Sequence, residues 1–177
     1  VKNQIVTIRQ ATIKDAAIIA LLGRITFTET FNHLFDDRND LLVYYNRTFS
    51  VAKIRNSLKN KNNVFWLALV DELPVGYAKL KLKSNSAFNT SDKIGQLQKI
   101  YVLHDFISTG IGKKLKNTLV NTAKSFGLAT IWLTTLKYNN DHVINFYKKS
   151  DFKVDGVTHY EIGKLKSELL VMSANLM

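Results

Sequence analysis

The sequence predicts a mixed α/β fold, a mixed sheet with helices on its faces. Three observations carry that expectation. Hydrophobic spacing along the 177 residues switches between period two and helical period in the order strand, helices, three strands, helix, strand, helix, two strands. A hydrophobic fraction of 46% with one proline supports a well-cored globular chain, long enough for one domain over 1–177 and short for two. No low-complexity tract or linker-like stretch interrupts it.

"IVTIRQAT" alternates apolar and polar residues and predicts the first strand. "TIKDAAIIALLGRITFTETFNHLF" then has helical spacing, with Ile18, Leu21, Leu22, Ile25 and Phe27 as its expected apolar side. A second helical piece is expected in "VAKIRNSLKN", where Ile54 and Leu58 are four apart. "VFWLALV", the turn "DELP" and "VGYAKLKLK" predict a hairpin, because β-branched and aromatic residues flank turn formers. Lys83 to Asp92 is polar and predicts a mobile loop. "GQLQKIYVL" predicts a strand burying Leu97, Ile100 and Val102, and Ile111, Leu115, Leu119, Val120 and Ala123 mark a helix that Gly127 stops. "LATIWLTTL" predicts a buried strand, "NNDHVINFYKKS" a short helix, and "FKVDGVTHYEIG" with "SELLVMSANL" two antiparallel closing strands.

Twenty-five Lys and Arg against 14 Asp and Glu give a formal charge of +11, which favours an anionic partner. The lysines are scattered and match no nucleic-acid motif, so DNA or RNA is not the expected partner. The absence of cysteine excludes disulfides and thiol catalysis and fits a cytoplasmic chain. "VKNQIVTIRQ" has no apolar h-region, so no signal peptide is expected, and no apolar run approaches the ~20 residues that cross a bilayer. His33, His104, His142 and His159 match no metal spacing, and no metal is expected.

The chemistry concentrates in "ISTGIGKKL", Ile107–Leu115. A Walker loop needs glycine where Ile107 stands and Ser or Thr where Lys114 stands; a dinucleotide fingerprint needs glycine at Leu115. A third reading asks only for a strand that stops, a glycine loop, and a helix whose free N-terminus faces a pyrophosphate. The alternative is an ordinary helix start with a packing glycine.

"KIYVLHDFISTGIGKKL" followed by "NNDHVINFYKKSDFKVDG" resembles the GNAT superfamily of N-acetyltransferases, with Gly110 and Gly112 as its motif glycines and Asn140, Phe146, Tyr147, Lys149 and Phe152 as its later element. "ETF", "VGYAKL", "QKIYVL" and "LLVMSANL" are similar to the bacterial branch that includes spermidine/spermine N-acetyltransferases. The resemblance implies a mostly antiparallel sheet of about seven strands, splayed in the middle and flanked by about four helices. It implies acetyl-CoA as donor, bound by Ile100, Tyr101, Val102, Leu103, Ser108, Thr109, Gly110, Ile111, Gly112, Lys113, Asn140 and Lys149. It makes Tyr147 the general acid; Asn140 would serve as helix cap, cofactor contact or both.

The chain departs from the family's pattern in four places. Ile107 stands where Gln or Arg is usual, Ser108 and Thr109 replace a Gly-Lys pair, Asp151 replaces a glycine, and Gln96 replaces a glutamate sometimes proposed as base. The grip on the cofactor is therefore expected to be mostly backbone, and no base is assigned. His104 is read as a turn residue. The acceptor is expected to be a small-molecule amine or polyamine over the first helices, with Phe27, Glu29 and Phe31 in contact, Tyr44 and Tyr45 packing methylenes, and Asp36, Asp37 and Asp40 either attracting it or forming a solvated turn. A peptide acceptor, or a non-catalytic acyl-CoA-binding module, are the alternatives. A homodimer would pair through the C-terminal strands.

Overall fold

The structure, a computed structural model, describes residues 4–177; Val1 to Asn3, part of the stretch read for a leader, lie outside the described residues. Seven strands form one sheet in the order β1-β2-β3-β4-β5-β7-β6. They are β1 Val6–Gln10, β2 Asn63–Val70, β3 Leu73–Lys81, β4 Ile94–Val102, β5 Thr130–Leu136, β6 Lys153–Ile162 and β7 Leu165–Asn175. Every neighbouring pair is antiparallel except β4 and β5. Five helices flank it: α1 Ala16–Phe31, α2 Arg38–Thr48, α3 Val51–Lys59, α4 Ile111–Ser125 and α5 Asp141–Lys148. No helix among the described residues is long and apolar enough to cross a membrane.

Each face of the sheet has its own core. Leu115, Leu119 and Ala123 of α4, with Tyr147 of α5, pack on Ala78, Leu80, Leu97 and Ile131. On the opposite face Ile19, Ala20 and Leu22 of α1 and Ile54 of α3 cover Phe65, Leu67 and Tyr77. The expected buried set of β4 holds, with Leu97 buried and Ile100 and Val102 packed on the same cluster. Phe126 caps α4 and Gly127, at φ +73°, takes the left-handed conformation after it, while Leu128 N–H returns to Ala123 C=O at 3.1 Å.

Helix α1 buries a different face from the expected one. Leu22 and Phe27 point inward, but Ile18, Leu21 and Ile25 are exposed, and Ala16, Ala20, Gly23 and Thr26 fill the inner stripe. The reason is close approach: a Cβ on Gly23 would stand 2.4 Å from the Phe49 ring. Small residues let the helix approach closely, with Ile19, Leu22 and Phe27 buried beside them, while Ile18, Leu21 and Ile25 lie on the outer side. Helix α2 is additional to the expected helices. Asp37 caps it by accepting from Asn39 N–H at 2.9 Å, and Leu41, Tyr44 and Tyr45 recur at helical spacing on its buried side.

The expected mobile loop is instead held by its own polar groups. Ser86 is buried and its Oγ accepts from Phe88 and Asn89 N–H, while Trp132 Nε1 donates to Ser84 C=O at 2.6 Å. The β2–β3 turn is tighter than "DELP", with only Asp71 and Glu72 between the strands, both at positive φ. Asp151, standing where a glycine is usual, adopts φ +63° at the end of α5, a conformation Asp tolerates better than most residues.

Candidate active site

The centre of the sheet opens where its parallel pair diverges. Strands β4 and β5 are joined only at Ile94–Gln96 against Thr130–Trp132. Beyond Gln96, β5 continues against β7 on its far side and β4 against β3 on its own. The edge of β4 from Leu97 to Val102 that faces β5 is thus a row of backbone groups without a strand partner, the geometry to which an extended amide chain adds like another strand. Ile100, Tyr101 and Val102 lie on this edge, and Leu103 ends it by donating its N–H to Val75 C=O at 2.9 Å.

The chain then makes a 3-10 turn at His104–Phe106 and enters α4 through Ser108, at φ +66°, and Gly110, at φ +88°. Thr109 Oγ1 bonds back to Phe106 C=O at 2.6 Å, tightening the loop. No side chain caps α4, so the first-turn N–H groups around Ile111, Gly112 and Lys113 face outward beside the positive end of the helix. A Cβ at Gly110 or Gly112 would meet no atom within 4 Å, so the glycines leave open space over these donors rather than room for packing. Edge and helix N-terminus together fit a long amide-bearing cofactor ending in phosphates. Lys113 and Lys149 are exposed nearby in sequence to the loop and to α5, able to add charge.

Tyr147 is buried among Phe146 and Phe152, with centroids 5.1 and 5.5 Å away. Burial pushes its phenol well above the ordinary range, so it stays protonated at neutral pH. Asn140 begins α5, but its side chain does not cap the helix. Its Nδ2 donates to Thr135 Oγ1 at 2.7 Å and Leu136 C=O at 3.2 Å, tying α5 to the end of β5. Gln96 accepts from Ser84 Oγ at 3.2 Å and so belongs to the Ser84–Trp132 cluster. His104 is exposed, as a turn residue should be.

On the opposite face Phe27 is buried amid Phe31, Phe35, Tyr44, Tyr45 and Phe49. Glu29 projects from α1 to the end of β4, where its Oε2 accepts from His104 N–H at 3.0 Å. Asp37 and Asp40 are not free to attract a ligand: Asp40 accepts from Lys164 N–H at 2.8 Å, and Asp37 pairs with the Lys164 ammonium at 3.5 Å. They fasten α2 to the β6–β7 turn.

Two lysines were missed by the sequence reading. Lys79 and Lys99 stand directly opposite one another in the β3–β4 register, just where Gln98 bulges out of the ladder. The signal lay in "VGYAKLKLK", whose alternation puts Tyr77, Lys79 and Lys81 on one face.

The chain matches the acetyltransferase (GNAT) family over residues 27–152, and it belongs to that family. Membership makes it an N-acetyltransferase with acetyl-CoA as donor. It is 26% identical over 120 residues to an uncharacterized N-acetyltransferase of Mycobacterium bovis, covering 68% of this chain and 72% of that one. Its fold is similar to the PaiA N-acetyltransferase of Thermoplasma acidophilum in complex with coenzyme A, with a TM-score of 0.76 at 19% identity over 97% of this chain and 99% of that one. It is also similar to yncA, a putative acetyltransferase of Salmonella typhimurium solved with acetyl-CoA, with a TM-score of 0.67 at 19% identity over 97% and 94%.

Proposed function

We propose that residues 1–177 form one transferase domain that moves an acetyl group from acetyl-CoA to a primary amine of a small molecule, polyamines included, by direct attack on the thioester. The observation that carries this is the β4–β5 divergence running into the uncapped α4 N-terminus under Gly110 and Gly112. Bound there, acetyl-CoA supplies an acyl group already activated as a thioester. The open edge of β4 orients the donor, and an N–H at Ile100 to Val102 polarises the acyl carbonyl. Ser108, Thr109, Gly110, Ile111, Gly112 and Lys113 hold the phosphates, largely through backbone, with Lys149 and Asn140 at the rim. Tyr147, kept protonated by burial, donates to the departing sulfur. Gln96 cannot accept the acceptor's proton, which passes to water.

Glu29, Phe31 and the wall behind Phe27 are the acceptor's side of this reading, which places the enzyme in the cytoplasm, with β6 at the sheet edge available for a homodimer. Amine-dependent thiol release from acetyl-CoA, measured over polyamines, amino acids and peptides, tests it. Binding of acetyl-CoA without turnover on any amine would instead favour a non-catalytic module.

A further inference from the structure

A strand centre facing a helix layer normally buries apolar residues, yet this one carries a row of ammonium groups. Lys79 lies across from Phe65 on one side and Lys99 on the other. Its Nζ sits 5.2 Å from the Phe65 centroid, and Lys99 Nζ sits 5.1 Å from the centroids of both Phe49 and Tyr101. Aromatic faces hold a cation in place without neutralising it. Lys53 of α3 and Lys81 of β3 are close enough to repel Lys79 further. None of Lys53, Lys79, Lys81 and Lys99 makes a salt bridge among the described residues.

The carboxylates that could have answered them are committed. Asp15 is clasped by Arg9, and Asp37 and Asp40 by Lys164. Lys99 also stands three residues beyond Gln96, the last residue of β4 paired to β5, and immediately before Ile100 on the open edge. A group held by Lys99 is therefore beside the reaction centre rather than on a remote surface.

Resting on the acetyltransferase reading, we propose that the acceptor amine also bears an anionic group, a carboxylate or phosphate, which Lys79 and Lys99 bind. Burial, with repulsion from Lys99, Lys81 and Lys53, already holds Lys79 down to about 7, and burial holds Lys99 down to about 8. An anion between them reverses that penalty by favouring both charged forms. A second cation, such as the far amine of a polyamine, meets repulsion from the same pair, which narrows the proposed range of acceptors away from polyamines. Glu29 accepts from His104 N–H through Oε2 alone, so its Oε1 is left for the acceptor's own ammonium.

The test compares acceptors of matched length: n-butylamine, 1,4-diaminobutane and 4-aminobutanoate, then ethanolamine and O-phosphoethanolamine, each read by thiol release. The anionic members should exceed their neutral and dicationic counterparts by about tenfold or more in kcat/KM, through KM. The two anionic arms separate carboxylate from phosphate. In the Lys79→Met/Lys99→Met protein the preference should collapse while the dissociation constant for acetyl-CoA stays within about twofold. The Lys79→Arg/Lys99→Arg protein should keep it, because charge and not proton exchange is required. Calorimetric titration of 4-aminobutanoate and O-phosphoethanolamine into each protein gives an equilibrium readout that does not need turnover.

Preference for 1,4-diaminobutane, or equal rates for neutral and anionic members, would overturn the inference while leaving an acetyltransferase. So would loss of activity in the arginine variant with a moved acid limb of kcat, which would make Lys99 a base. Thiol release with no amine at all would overturn the acetyltransferase reading first, and the inference with it.

Discussion

The two sides of the β4–β5 opening are built from different materials. The proposed donor side is backbone: a free strand edge, two residues at positive φ, and the amides of an uncapped helix. The proposed acceptor side is side chains: a wall of six aromatic rings from α1, α2 and the segment around them, and lysines on β3 and β4. Backbone offers the same groups whatever the sequence, so the donor side can be generic. Specificity for an acceptor has to be written in the rings and charges opposite.

The largest test of that division is Tyr147→Phe, which removes the hydroxyl while keeping the ring that packs on Phe146 and Phe152. With chemistry limiting, kcat should fall about 100-fold, the scale of a general acid, with acetyl-CoA affinity and melting temperature unchanged. A full rate in pre-steady-state single turnover would remove the acid role. Next is Gly112→Val. Its Cβ would meet nothing within 4 Å, so the fold should tolerate it, but the branches would occupy space over the first-turn amides. We expect acetyl-CoA to bind about 30-fold more weakly by calorimetry, about 2 kcal/mol, with thermal stability nearly unchanged. Equal affinity would mean that phosphates do not sit there.

A glycine on the other side should behave oppositely. A Cβ at Gly23 stands 2.4 Å from the Phe49 ring and 3.1 Å from the Tyr77 hydroxyl, which is buried without a hydrogen-bond partner. Gly23→Ala should cost about 1–2 kcal/mol in denaturant unfolding, because the ring cannot retreat without moving Lys99 and Tyr101. Acceptor KM should rise while acetyl-CoA affinity holds. If both constants moved together, the two sides would be one mechanical unit and the comparison would fail.

The same contrast explains what the sequence could show. The strand order of periodicities, the loop glycines and the α4 apolar stripe are local signals, and each appears in the structure where its residues predict it. Gly110 was legible because a loop glycine before a helix leaves backbone N–H groups open to an anion, and the structure adds that it takes left-handed backbone at φ +88°. The inner face of α1 was not, because its burial follows from Gly23 meeting Phe49, a residue 26 positions away. Lys79 and Lys99 were invisible as a pair for a similar reason. Only the β3–β4 register, shifted by the Gln98 bulge, sets them opposite. Asp37 and Asp40 looked like candidate ligands until the β6–β7 turn supplied Lys164 as their partner.

The smallest expected effect concerns the start of α1, which ties the proposed acceptor wall to β1. Arg9 grips Asp15 with two bonds, 2.9 and 2.7 Å, and Thr12 N–H donates to the same carboxylate at 2.7 Å. The Arg9 guanidinium hydrogen bonds, opposed by burial and aided by Thr12, bring the Asp15 carboxyl down to about 2. A carboxyl lowered on folding stabilises the protein fully above its unfolded pKa, near 4. That contribution fades as pH falls from there through about 2. Asp15→Asn should therefore cost about 1 kcal/mol at pH 7, and the gap from the parent should close as both are titrated from pH 5 toward pH 2. Because the clasp anchors only the helix that carries Glu29 and Phe31, the loss should appear in acceptor KM and not in acetyl-CoA affinity. A variant whose deficit stayed constant down to pH 2 would show that the carboxylate's charge is not what fastens α1, leaving packing against the sheet to place the acceptor wall.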